Sequence, residues 1–180
     1  MRTRGPKSRV IDLNGRTLWI NDRNQADPWM GGGEALTLVN GRLFELMRDG
    51  TVYGSDATTG RVFTGSDTQP KPWNLRWESF VAPGGTSDDA RRKRYIAERP
   101  HDLAGDAANG LLVAAYPQHD AIAWFDARDG RQVDKAEGLQ GLAGIAVASD
   151  GTVHAIAQGR VIALSRQDKT PRVVLPADRL

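Results

Sequence analysis

The apolar positions of this chain fall in short runs divided by turn residues at intervals of about ten. Leu36-Thr37-Leu38-Val39 leads through Asn40-Gly41 to Leu43-Phe44-Glu45-Leu46, Asp49-Gly50 leads to Thr51-Val52-Tyr53, and Thr59-Gly60 leads to Arg61-Val62-Phe63. Asn-Gly and Asp-Gly between apolar runs are strong hairpin signals, because tight two-residue turns need positive φ at their central positions. The spacing predicts an antiparallel meander rather than an α/β alternation. Upstream, Val10 to Asp22 reads as two strands about an Asn14-Gly15 turn, and Asn24 to Glu34 reads as a loop. Its three glycines, Gly31 to Gly33, are not followed by Gly-Lys-Ser/Thr, which argues against a phosphate cradle.

The pattern is written twice between Pro100 and Leu175. Pro100–Val133 and Leu142–Leu175 each carry apolar runs about a turn, at Asn109-Gly110 and Asp150-Gly151. Gly110 and Gly151 lie 41 residues apart, within the roughly 40–50-residue period of propeller blades. Gly50 and Gly110 lie 60 apart, and the excess is read as an insertion at about 66–99. It contains Gln69-Pro70-Lys71-Pro72, the segment Trp73-Asn74-Leu75-Arg76-Trp77, and Ser87 to Arg94. Ser87 with Asp88 and Asp89, followed by basic residues, predicts one short helix over 88–97, ended by Pro100.

Leu142-Ala143-Gly144-Ile145-Ala146-Val147, Asp150-Gly151-Thr152-Val153-His154 and, in the first copy, Pro100, Leu103, Ala104, Asp106, Gly110, Val113 and Phe125 to Gly130 resemble the NHL repeat. Lactonase-type and quinoprotein-type propellers use similar strings. The resemblance covers 100–175 well and 36–65 in part. It implies an all-β propeller of four-stranded antiparallel blades, with material here for about four, an incomplete ring carrying one short helical insertion. Residues 1–9 are expected to be a disordered basic arm and 10–180 the propeller segment.

Composition narrows the chemistry. Arg2, Arg4, Lys7 and Arg9 hold four positive charges, so a formal +2 for the whole leaves the rest at −2, and the body is not basic. The chain has no cysteine, which excludes disulfides and thiolate metal sites while leaving the compartment open. Neither a signal peptide nor a membrane span is visible. No Gly-x-Ser-x-Gly and no His-Glu-x-x-His occurs, so neither motif points to an enzyme, and no cofactor or metal is expected.

Strand direction locates the candidate site. In a meander blade the chain enters the first strand and leaves the second at one rim. His101 and Asp102 should therefore share a face with Gln118, His119 and Asp120, and residues 82–99 should lead onto it. Trp73, Arg76 and Trp77, with Arg91, Arg92 and Arg94, supply the aromatic and cationic character of an interface for a protein or small ligand. The plainer alternative is that both tryptophans pin the insertion to a blade. Two other readings stand beside the interaction module. One is a fragment of a lactonase-like hydrolase, with Asp102 and Asp120 facing a divalent cation. The other is an RNA- or polyanion-binding face using the Arg91–Arg94 run. His154 aligns by spacing with Tyr53 and Val113 and is expected to pack in a strand. Ring closure calls for further blades or a second copy.

Overall fold

The computed structural model describes residues 8–11, 14, 16–21, 33–48, 50–64, 73–75, 77 and 98–176. The expected helix over 88–97 lies outside them. A hairpin comes first, β1 (Ser8–Ile11) on β2 (Thr17–Asn21), so the first strand takes in Ser8 and Arg9 of the basic arm.

Three four-stranded antiparallel sheets follow, each paired in chain order. The first is β3 (Gly33–Val39), β4 (Arg42–Met47), β5 (Thr51–Asp56) and β6 (Trp73–Asn74). The second is β7 (Asp102–Asp106), β8 (Leu111–Tyr116), β9 (Ala121–Asp126) and β10 (Gln132–Ala136). The third is β11 (Gly144–Val147), β12 (Val153–Ala157), β13 (Arg160–Leu164) and β14 (Arg172–Leu175). The sheets meet along their first strands, β3 beside β7 and β7 beside β11. The described residues make a partial β-propeller with three four-stranded blades. The one helical element among the described residues is the 3₁₀ turn Pro117–His119.

The second blade explains its own composition. Every residue of β8 and β9 is buried, because both faces of the sheet are covered. Leu112, Ala114, Tyr116 and Phe125 join a core with Phe44, Leu46 and Val52 of the first blade. Leu111, Val113, Ala115 and Trp124 join another with Val153, Ala155 and Leu164 of the third. A half-exposed strand would alternate apolar and polar, whereas these run apolar from Leu111 to Tyr116 and from Ala121 to Phe125.

The structure corrects the register of the first blade. Gly50 closes the β4–β5 turn, its N–H donating to Met47 O at 2.9 Å, while the partners of Gly110 and Gly151 in the β7–β8 and β11–β12 turns are Gly41. Gly41 and Gly110 are 69 residues apart, so the extra length is 28 residues rather than 19. Both turns end in glycine with positive φ, and only the packing of sheet on sheet distinguishes them. The position of His154 is therefore shared by Val113 and Phe44, not by Tyr53. Trp73 and Asn74 likewise belong to the outer edge of the first blade. That edge is built in two pieces, with Val62 bridging Ser55 and Trp73 pairing with Val52.

One turn recurs unchanged. Asp56-Ala57-Thr58-Thr59-Gly60-Arg61 and Asp126-Ala127-Arg128-Asp129-Gly130-Arg131 each close with the aspartate N–H donating to the arginine O, at 2.8 and 2.9 Å. In each, the glycine N–H donates to the aspartate O at 2.9 Å. Arg128 also grips Asp126 in a fork, Nε on Oδ1 at 3.0 Å and Nη2 on Oδ2 at 2.6 Å. These bonds hold the Asp126 carboxyl down at about 2, against an ordinary 3.8. A depressed carboxyl stabilises the fold fully above its unfolded pKa and loses that contribution as the pH falls through the folded one. Asp126→Asn should therefore flatten the decline in stability between about pH 5 and 2. Urea midpoints across that range test it, and equal slopes for both proteins would contradict it.

Candidate interaction face

The entry to β7 and the exit from β8 do lie together. His101 N–H donates to Ala115 O at 2.9 Å, and His119 Nε2 meets Glu98 Oε2 at 2.9 Å. Trp77 is drawn onto the same rim by its N–H, which donates to Glu98 O at 2.8 Å. Its ring stacks on His119, with centroids 4.7 Å apart and planes at 11°, and meets Tyr116 edge-on at 5.0 Å. Lys135 Nζ lies 5.3 Å from the Trp77 ring centroid, within cation–π range. Beneath them Tyr116 is buried, its hydroxyl donating to Leu75 O, and burial raises its pKa well above the ordinary range. The rim thus presents an indole and an imidazole held parallel, with a carboxylate and an ammonium at their margins.

The two candidate cation ligands have structural partners instead. Asp102 Oδ1 accepts from Leu103 N–H at 2.9 Å and Oδ2 from Ile145 N–H at 3.0 Å, which laces the second blade to the third. Asp120 Oδ1 accepts from Gly141 N–H at 3.0 Å, and its carbonyl accepts from Leu139 N–H at 2.8 Å. Together they fasten the loop into β11. No group of three or more His, Cys, Asp or Glu that could hold a metal occurs among the described residues.

Trp73 is not on this rim. It lies against Phe44 and Phe63, with centroids 5.7 and 6.0 Å away, and covers Gly130 of the second blade. It packs along the first blade's outer edge, in that blade's own fourth strand. Arg76, Arg91, Arg92 and Arg94 lie outside the described residues. Glu98 and Lys135 were not legible from motif or turn spacing. Lys135 stands on an outer strand 58 residues beyond Trp77, and only the inter-blade contact joins them.

The opposite face holds a cleft of about 600 Å³ between the first two blades, lined by Asn40, Arg42, Asn109, Asp126 and Arg128 among others. Its charges are used internally. Arg42 donates to Ala127 O at 3.3 Å and covers the Phe63 ring, and Arg128 is paired with Asp126.

No family model matches the chain, and no curated protein does. Solved structures do resemble it. Against Kuenenia stuttgartiensis hydrazine synthase the TM-score is 0.57 at 12% identity, over 85% of this chain and 38% of that one. Against Saccharomyces cerevisiae Sqt1 it is 0.58 at 10% identity, over 91% and 41%. The β-propeller domain of Myceliophteria thermophila Cps50 (Swd1) gives 0.47 at 12% identity, over 81% and 39%. This chain therefore spans about two fifths of the length of each of these structures. At such identities the likeness to the first two is one of fold, and it agrees with the blades described above: the chain is built as part of a β-propeller.

Proposed function

We propose that this chain is a non-enzymatic, NHL-repeat-like interaction module that holds a protein partner on the rim bearing Trp77. The observation that carries the reading is the Trp77–His119 stack, flanked by Lys135 and Glu98, on the face where the chain enters β7 and leaves β8. Aromatic rings fixed in place with a cation beside them lose little entropy on binding, and such groups commonly anchor protein interfaces. The carboxylates a hydrolase would need for a divalent cation are spent on backbone amides, which supports a binding role over a catalytic one.

A photo-crosslinking residue placed at Gln118, exposed beside His119, should yield a discrete protein adduct in cells. The same group at Thr58, exposed on the opposite face, should not. The Gln118 adduct should disappear when Trp77→Ala is added with the strand signal in circular dichroism unchanged. Matching adducts from both faces, or a Gln118 adduct indifferent to Trp77, would overturn the proposal.

A further inference from the structure

The blade stack leaves an apolar face open at each end. Turn equivalence makes Leu36 and Leu38 of β3 the counterparts of Ile145 and Val147 of β11, since Glu45 and Leu43 pair with the first two as Ala155 and Val153 pair with the second. Ile145 and Val147 pack against the core shared with the second blade. Leu36 and Leu38 stand 58% and 55% exposed. At the other end, Ile156 occupies the position of Ala115 and Leu46, both fully buried against the following blade, yet it is 45% exposed. Its neighbours on that face are Ala146 and His154, with Ala163 where the second blade carries Trp124.

Each blade thus offers one face to its predecessor and another to its successor, a head-to-tail arrangement that repeats until the ring closes. We infer that a second copy of this chain covers both open faces, with Leu36 and Leu38 of one copy against Ile156 and His154 of the other, twice about a two-fold axis. Continuity with the interfaces already inside the chain supplies the geometry. Two copies give six blades, within the four to eight that closed propellers contain, and three copies would exceed that range.

Sedimentation equilibrium of the full chain tests this. The expected species has twice the 19.6 kDa chain mass. Leu36→Glu with Leu38→Glu should raise the dissociation constant at least about tenfold, because carboxylates would be buried unpaired. Ile156→Lys should do the same from the other face. Mixing the two variants should restore a dimer, since one of its two interfaces is then intact and the other sets the new ammonium against the new carboxylates. Recovery on mixing also excludes misfolding as the cause of the loss. A monomer at all concentrations, whether covered by its own hairpin or by another chain, would overturn the inference. So would an open polymer, a dimer weakened by only one of the variants, or failure of the mixture to associate.

Discussion

Trp124→Ala is expected to destabilise the chain by about 3–5 kcal/mol, a large fraction of the roughly 5–15 kcal/mol of an ordinary domain. The ring is fully buried, standing opposite Val113 on β8 and Asp134 on β10, in the core where the second blade meets the third. Alanine would leave a cavity between two sheets whose spacing is also held by the Asp102 bond to Ile145 and by Lys169 on Asp134 at 2.5 Å, so the walls cannot collapse freely. The indole N–H is buried without an acceptor among the described residues. Trp124→Phe keeps most of the ring contact and removes that unpaired donor, so it should lose much less than alanine. Urea unfolding measures both. A loss below about 1 kcal/mol for Trp124→Ala would place the ring outside an inter-blade core.

Gly105→Ala should cost about 1–3 kcal/mol, from crowding rather than from a disfavoured backbone angle. A Cβ at Gly105 would lie 2.7 Å from Leu38 O, 2.7 Å from Val39 Cγ2 and 2.9 Å from Thr37 Oγ1, all on β3. A backbone carbonyl cannot swing aside as a side chain can, so the two inner strands must part. Gly144 on β11, at the register position of Asp102, is a control with room for a side chain. Its Cβ would meet Asp102 Oδ2 at 3.5 Å, an ordinary contact, so Gly144→Ala should be close to neutral. Hydrogen exchange should show the Gly105 variant loosening β3 and β7 while β12 and β13 keep their protection. Equal effects at both glycines would contradict the tight contact of Gly105 with β3.

Much of this fold is legible in the sequence because its information is local. The Asn-Gly and Asp-Gly turns, the 41-residue period and the alternation of strand direction place His101, Asp102, His119 and Asp120 on one rim without knowledge of tertiary contacts. What is not legible depends on which sheet packs on which. Gly41 and Gly50 are equally good turn residues, so the repeat alone leaves the first blade's register open by a full strand. Trp73 and Trp77 sit four residues apart in one aromatic segment and both pack against the core between the first two blades, yet only Trp77 also stacks on a rim histidine. Asp102 and Asp120 carry the right chemistry for a cation, but which atoms reach a carboxylate first is settled by the neighbouring backbone. The repeated Asp-Ala-x-x-Gly-Arg turn was a readable signal, 70 residues apart, and it fixes the correct alignment of the first two blades.

Isotope-edited NOE spectroscopy tests most directly whether the three sheets stand side by side about a common channel. Side-by-side blades require cross-peaks from the Val39 methyl group to Gly105 Hα and from the Asn109 side-chain amide to Gly151 Hα, linking first to second and second to third. Cross-peaks confined within each sheet, with both of these pairs silent in a folded sample, would show that the sheets are not stacked, and the shared rim would be lost with them.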